Sequence, residues 1–373
     1  MDNFVAHRPG DCHHIFGHLK PTNQRRTRFS VTTRSRFPEN SSPRLLSTVM
    51  TESTSRVVKL QEARDNKFQR LAREAQAIHQ DDALRAGEVG YLSSTMVQVT
   101  LPYREPKGNP AAWGRTNGRA SLTIQPGYYI GTEVEIGAKG RKKNRQVPIS
   151  IGYPYGSVPR LLLAWVGREV TMKKQREVIL GRTLGEFMSD LGINNASGGK
   201  RGSITAVKEQ TKRLFSARVA LVDNPENIDW NNDGFVLADS LNVWWDPSTA
   251  ADQAGLFDSK VVLSERFFDE MLKSPVPLDM RALRALKQSP FALDVYSWLT
   301  YRSFSVTRRT EIPWEALQQQ FGTETESERK FRSLFRRALK DVAVVYPDAK
   351  FDADSSKAFV LLPGKTSVRI AGR

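Results

Sequence analysis

Cysteine is nearly absent: Cys12 stands alone in a chain of 373 residues. One thiol makes no disulfide within the chain and no multi-thiolate zinc site, which fits a reducing compartment. Histidine is scarce too, and His7, His13, His14, His18 and His79 all precede residue 80. The longer part of the chain therefore cannot build a Ser-His-Asp triad, a His-Glu-x-x-His zinc site or a paired-histidine nicking centre. Cys12, His13, His14 and His18 lie in a stretch with Pro, Gly and Arg and no apolar periodicity, which reads as a tail and not as a metal site. No apolar run approaches the roughly 18 residues of a membrane span. The most apolar stretch, Leu161 to Val166, is soon followed by Arg168 and Glu169. A Walker loop is missing as well: Gly364-Lys365-Thr366 would be its end, but the glycine required five residues earlier is Phe359. These absences leave no catalytic residue, no metal ligand, no cofactor and no membrane partner to assign.

What the chain has in quantity is positive charge. Lys plus Arg number 56 against 40 Asp plus Glu, a formal charge of +16 and a pI near 10.0, which favours a polyanionic partner. With 39% hydrophobic and 9% aromatic residues the chain can still bury ordinary cores, and its length suggests two or three domains of roughly 100 to 150 residues.

Residues 1–55 are rich in Arg, Ser, Thr and Pro with few acids and read as a disordered basic tail. A transit peptide has a similar composition, and Met50 offers an internal start. Residues 56–90 read as one charged, solvent-facing helix with sparse apolar positions Val57, Leu60, Phe68, Leu71 and Ile78. Tyr91 to Leu101 and Ala120 to Ile124 read as strands. Ala138 to Gln146 is a basic loop with Lys139, Arg141, Lys142, Lys143 and Arg145, either meeting phosphate or simply solvated.

From Ser157 the punctuation becomes regular. Ser157 and Pro159 start a helix through Leu161, Leu162, Trp165 and Val166. Thr183 and Glu186 form a capping box over Leu184, Phe187, Met188 and Leu191, ending at Gly192. After the Gly- and Lys-rich loop Ser197 to Gly202, a third helix begins at Ser203. Ala217 to Val222 and Phe235 to Leu237 then read as two strands joined across Asn231, Asn232, Asp233 and Gly234. The same order returns about 130 residues later: Pro159 and Pro290 are 131 positions apart, Gly192 and Gly322 are 130. Ser289 and Pro290 start one helix, Pro313 starts another that stops at Gly322, and Thr325 and Glu328 cap a third with Phe331, Leu334, Phe335, Ala338 and Val342 inside. Val342 to Tyr346 and Phe359 to Leu362 follow as strands. Three helices and a β-hairpin, twice over, are the order of a winged helix-turn-helix. The expected fold is therefore α+β: two tandem winged-helix domains, 91–250 and 256–365, behind a helical or disordered N-terminal region and before a tail at 366–373.

Charge falls on the helices that such a fold presents to DNA. At 100° per residue, Arg329, Lys330, Ser333, Arg336, Arg337 and Lys340 lie opposite the apolar stripe, with no acid between Glu328 and Asp341. In the first copy Lys200, Arg201, Thr205, Lys208, Lys212 and Arg213 occupy the equivalent helix and its entry, interrupted by Glu209; Lys200 and Arg201 among glycines suit phosphates. These twelve residues form the expected DNA-binding set, with Ser333, Arg336 and Arg337 on the bases. Trp244 and Trp245 face opposite ways on a strand, one in a core and one at an interface. Glu226, Asp229 and Asp233 could surround Mg²⁺, but they sit among Asn and Gly, where acids make tight bends. Tyr155, Tyr296 and Tyr301 lack any histidine to activate them as nucleophiles, and packing is the expected role of Tyr296, Trp298 and Tyr301.

Longer motifs carry a resemblance. Tyr153-Pro154-Tyr155-Gly156-Ser157-Val158-Pro159-Arg160-Leu161-Leu162-Leu163-Ala164-Trp165, Trp244-Trp245-Asp246-Pro247, Pro277 to Leu283, Ala292 to Arg302 and Glu311-Ile312-Pro313-Trp314-Glu315-Ala316-Leu317 closely resemble the plasmid replication initiators called RepA, of the broad-host-range type. The resemblance runs from about Tyr91 to Pro363. It implies a non-enzymatic protein of the bacterial cytoplasm that binds repeated sequences (iterons) in double-stranded plasmid origin DNA and helps open an adjacent AT-rich segment. It further implies recruitment of the host initiator and replicative helicase, and a homodimer in equilibrium with monomer, the dimer repressing its own gene. In related initiators the carboxyl-terminal domain reads the major groove, while the amino-terminal one touches the backbone and dimerises. A transcriptional repressor that melts no DNA is the alternative.

Overall fold

A computed structural model describes residues 43–369 except 119, 137–141, 182, 195–196, 200–201, 224–233, 243–258 and 323–326. The chain divides into two compact units, residues 1–59 and 60–373. What is described of the first unit is helical, the start of α1 (Pro43–Gln80). Most of the expected tail thus lies outside the described residues, and the helix begins earlier than residue 56 and ends at Gln80, short of residue 90. Nor is it wholly solvent-facing in the second unit. Leu71 and Ala75 are buried and Ile78 partly so, a one-sided stripe at helical spacing.

The second unit mixes α and β. After α1 come β1 (Val89–Ser93), α2 (Ser94–Gln98), β2 (Trp113–Asn117), β3 (Ala120–Gln125), β4 (Gly127–Ile136) and β5 (Lys142–Gly152). The strand expected over Tyr91 to Leu101 is therefore cut short. Ser93 accepts a hydrogen bond from the Met96 amide at 3.2 Å and turns the chain into a helix despite the β-branched Thr95 and Val97. Lys142 to Gln146, expected in a loop, belong to β5.

A first series follows: α3 (Ser157–Lys173), β6 (Glu177–Ile179), α4 (Leu184–Asp190), α5 (Ser203–Ser216), β7 (Arg218–Asp223), β8 (Gly234–Val236), β9 (Ala238–Asn242) and β10 (Lys260–Leu263). Then come α6 (Glu265–Lys273), β11 (Pro275–Asp279) and α7 (Met280–Leu286), and a second series: α8 (Pro290–Ser305), β12 (Thr310–Pro313), α9 (Trp314–Phe321), α10 (Glu328–Val345), β13 (Phe351–Asp352) and β14 (Ala358–Leu361). Thr183 caps α4 by accepting from the Glu186 amide at 3.2 Å, Ser289 caps α8 by accepting from the Ala292 amide, and Gly192 and Gly322 are left-handed at φ +72° and +48°. The cap expected for α3 is not used. Gly156, at φ +80°, precedes α3 without a side-chain cap, and α10 is entered from Ser327, also without one; Thr325 lies outside the described residues.

The two series share a sheet order. The strand between the first two helices pairs with the last strand, which pairs with the middle one: β6-β10-β9 and β12-β14-β13, all antiparallel. The hairpin expected from Ala217 to Leu237 does form as β7–β8, but it belongs to a separate four-stranded sheet, β2-β3-β7-β8. The strands that match the second series are β9 and β10. Val342 to Tyr346 is not a strand either: Val342 and Val345 continue the buried stripe of α10. The expected boundary between residues 250 and 256 falls outside the described residues, as do Trp244 and Trp245.

One buried cluster runs from Leu71 to Leu361 through both series. Its seam is the antiparallel pair of β1 and β11, with Tyr91 opposite Pro277, each strand ending in the residue that caps the next helix, Ser93 and Asp279. Helix α3 crosses this pair at close range. A Cβ on Gly167 would lie 1.9 Å from the Tyr91 carbonyl oxygen, and one on Gly90 2.9 Å from that of Ala164. Glycine inside a helix costs about 1 kcal/mol relative to alanine, so its presence at 167 is explained by this approach.

Beside the seam, Arg160 on α3 is 7% exposed and bonded through every donor. Its Nε and Nη2 donate to Asp294 on α8 at 2.7 and 2.8 Å, Nη2 also to the Leu101 carbonyl at 2.6 Å, and Nη1 to those of Pro102 and Gly156 at 3.2 and 2.7 Å. Removing one partner of such a pair strands the other charge, at about 3–5 kcal/mol. Arg160→Ala is accordingly expected to lower urea-unfolding stability by that amount, while Arg160→Met combined with Asp294→Leu recovers most of it. Equal losses for the single and double variants would contradict this.

Candidate nucleic-acid interface

Helix α10 is fixed from beneath by aromatic packing. The Phe335 ring lies 5.3 to 6.2 Å from those of Phe291, Trp298, Trp314, Phe321, Phe331 and Phe359. With Phe331, Ala338, Leu339, Val342 and Val345 also buried, the opposite side has one orientation. Arg329, Lys330, Ser333, Arg337 and Lys340 are exposed there, and none makes a side-chain hydrogen bond or ion pair with another described residue.

Arg336, expected among them, is placed differently. It is half-buried, its Nε donates to the Ala353 carbonyl at 2.6 Å, and its Nη2 donates to those of Asp354 and Ser355 at 3.0 and 3.2 Å. The guanidinium also sits 5.7 Å from the Trp314 ring. Arg332 donates to the Ser356 carbonyl and pairs with Glu328 at 3.3 Å, and Trp314 Nε1 donates to the Ser355 carbonyl at 3.0 Å. Together these groups clamp the turn between β13 and β14 against the helix. Arg336 could reach a base only by releasing three carbonyls.

At the far end of the stripe stands Asp341, one turn beyond Arg337 and so on the same side. Its carboxylate is held by Lys67 of α1 at 2.5 Å. An acid that would repel an anion is thereby neutralised by a helix outside the second series, a contact that no local pattern announces.

The first series presents a weaker face. Arg213 is half-buried, pairs with Glu105 at 2.8 Å and lies 5.4 Å from the Tyr155 ring. Lys212 is exposed, its Nζ 5.6 Å from the Tyr129 ring on β4. Thr205 Oγ1 donates to the Gly199 carbonyl at 2.8 Å and closes the turn that enters α5. Lys208 is half-buried. Lys200 and Arg201 lie outside the described residues, as do Glu226, Asp229 and Asp233.

Tyr296 and Tyr346 are engaged in the interior, while Tyr155 and Tyr301 are half-buried. Tyr296 is buried, accepts from the Asp279 amide at 3.0 Å and lies 2.7 Å from the Ser367 hydroxyl, and burial raises its phenol well above the ordinary range. Burial also pushes Tyr346 up to about 12, and its hydroxyl donates to the Lys365 carbonyl at 2.5 Å. Among the described residues no three His, Cys, Asp or Glu side chains gather as metal ligands, and no helix is long and apolar enough to cross a membrane.

Against known proteins, residues 153–315 match the family described as plasmid encoded RepA protein. This segment is a RepA-family segment. It spans α3 to the start of α9 and so bridges the two series and the seam between them. The resemblance read from Tyr153 to Trp165 and from Ala292 to Leu317 falls within it or at its edge. No curated protein and no solved structure matches the chain.

The two neighbouring arginines of α10 should separate cleanly in stability. Arg336→Ala, which frees three carbonyls, is expected to cost about 1–3 kcal/mol, and Arg337→Ala less than about 0.5 kcal/mol. Denaturant titration reads both, and a larger loss for Arg337→Ala would contradict the placement.

Proposed function

We propose that the chain is a sequence-specific, double-stranded DNA-binding initiator of plasmid replication, acting in the bacterial cytoplasm through two winged-helix units. The observation that carries the reading is the exposed cationic stripe of α10, free of unpaired acid. It lies on the third helix of a three-helix, three-strand series in a chain with a RepA-family segment. The strand order shared by β6-β10-β9 and β12-β14-β13 supports winged helices in both halves. In such units the third helix enters the major groove and the hairpin reaches the adjacent backbone.

On this reading Ser333 and Arg337 meet base edges, and Arg329, Lys330 and Lys340 meet phosphates. Arg336 joins the base contacts if the clamped turn opens on DNA. Lys212 and Arg213, with Lys200, Arg201, Thr205 and Lys208, form the auxiliary backbone surface of the first series. The proposal includes binding to iterons, opening of a neighbouring AT-rich segment, recruitment of the host initiator and helicase, and a repressing homodimer in equilibrium with monomer. It assigns no catalytic step and needs no cofactor.

Protection mapping on the parent plasmid, with permanganate to report unpaired thymines, tests the reading. Regular protections one or two helical turns apart beside reactive thymines are expected. A single palindromic footprint without melting would leave only a repressor, and no footprint at any salt would remove DNA recognition altogether. Arg337→Ala should lose about 10- to 100-fold on cognate sites, some 1–3 kcal/mol, and little on random duplex. Lys340→Ala should weaken both alike. Equal losses on both DNAs for both variants would refute the base assignment.

The Lys67 to Asp341 pair gives a second check. Lys67→Ala exposes a carboxylate beside Arg337 and should weaken binding several-fold at low salt. Adding Asp341→Asn should restore it. If the second substitution brings no recovery, Asp341 does not face the nucleic acid.

A further inference from the structure

The ribbon of β4 and β5 is left unused by the function proposed so far. Its strands pair antiparallel from Gly127 opposite Gly152 to Ile136 opposite Lys142, and no third strand joins them among the described residues. At about 3.3 Å per residue the ribbon is roughly 30 Å long. A two-stranded ribbon of this kind is marginal in water without something to lie against. Tyr128, Tyr129, Ile130 and Val134 remain about half to two-thirds exposed on it.

The root of the ribbon is seated on α5. A Cβ on Gly127 would fall 2.5 Å from the Ser216 carbonyl oxygen, and one on Gly152 3.1 Å from the Arg213 guanidinium. The Tyr129 ring meets Lys212. The ribbon therefore leaves the body beside the cations of the first series. From Ile136 to Arg168 the sequence has no acid, and five cations are concentrated between Lys139 and Arg145. Of the described ones, Lys142, Lys143 and Arg145 are all exposed. Glu133 and Glu135 stand opposite Arg145 and Lys143 in the register, so the two acids share a face with these two cations, which leaves the ribbon's five cations in excess and Lys142 on the other face. The face of Tyr128, Ile130, Thr132 and Val134, opposite Ser150, Pro148, Gln146 and Asn144, has none.

We infer that the paired strands β4 (Gly127–Ile136) and β5 (Lys142–Gly152) are a second DNA-binding element, an arm that follows the duplex beyond α5 and takes phosphates with Lys142, Lys143 and Arg145. This rests on the function proposed above. The major groove admits a two-stranded ribbon as it admits a helix, and the length is close to one helical turn of DNA. Charge decides between duplex and a second copy of the chain. Two copies of Lys142, Lys143 and Arg145 brought together would set cation against cation, whereas a duplex supplies the counter-charge along its whole length.

The test uses the full chain with Lys142→Gln, Lys143→Gln and Arg145→Gln combined, on two duplexes. One covers only the protected core of a site, and the other extends a further turn on each side. Each phosphate that the protein no longer neutralises lowers the slope of log K against log salt by about 0.9. The arm predicts a slope reduced by about 2 to 3 and hydroxyl-radical protection shortened by up to one turn on the long duplex. Binding to the short one should be nearly unchanged, which also reports an intact fold. Unchanged slope and footprint on the long duplex would overturn the arm and leave the α10 assignment standing. A changed sedimentation coefficient without a changed slope would overturn it in favour of a second copy. Failure of the unsubstituted protein to bind either duplex would instead remove the underlying function, and the arm with it.

Discussion

The guanidinium of Arg160 ties together separate parts of the second unit. A buried arginine is tolerable only when each of its five N–H groups finds an acceptor, and here those acceptors come from three separate places. Asp294 belongs to the second series, Gly156 to the entry of α3, and Leu101 and Pro102 to the segment before β2. The network can be complete only when these parts are docked together, so it specifies their relation more than it adds stability. A hydrophobic pair of similar volume would pack as well but would not select among registers. The close crossing of α3 over β1 acts in the same direction, because Gly167 and Gly90 allow one contact distance that a larger residue could not keep.

That docking explains why two similar series come to differ. Their helices and strands follow one order, and β1 with α2 is matched by β11 with α7 across an antiparallel pair centred on Tyr91 and Pro277. Yet α5 carries Glu105 against Arg213 and the β4–β5 ribbon against Lys212, while α10 keeps its outer cations unpaired among the described residues. The segment between α2 and α3, with Glu105 before β2 and Tyr129 on β4, supplies the groups that occupy the first face. The second series has no such insertion, and the turn between β13 and β14 is held by Arg332, Arg336 and Trp314.

What the sequence made legible was local. Thr183, Ser289, Gly192 and Gly322 act within three or four residues of themselves, and the structure uses all four in the expected way. The apolar stripe of α10 was equally plain from Phe331, Phe335, Ala338 and Val342. Errors arose where a distant partner decides. Val342 to Tyr346 has strand composition, but Val342 and Val345 face the core at helical spacing. Besides β9, β10 pairs with β6, more than 80 positions upstream, and no turn signal links them, whereas the turn signal between β7 and β8 points to a hairpin that belongs to a different sheet. A helical projection gives the direction of Arg336 but not the carbonyls that hold it. Lys67 was invisible for the same reason, since its meaning depends on Asp341, 274 positions away.

The placement of the cations on α10 bears on how recognition and affinity would divide under the proposed function. Immobilising a long side chain on binding costs about 0.5–1.5 kcal/mol, so groups carried on a rigid backbone lose less. Phe335 and its six ring neighbours, together with the clamped turn, hold the helix without any nucleic acid present. Ser333 and Arg337, one turn apart at mid-helix, gain most from this. Arg329 and Lys330, near the helix start, and Lys340, beside the Lys67–Asp341 pair, are set to track phosphates on either side. A helix fixed from below and cationic above needs little rearrangement to meet a groove, so discrimination rests on few side chains, while the wider positive surface sets affinity and its dependence on salt.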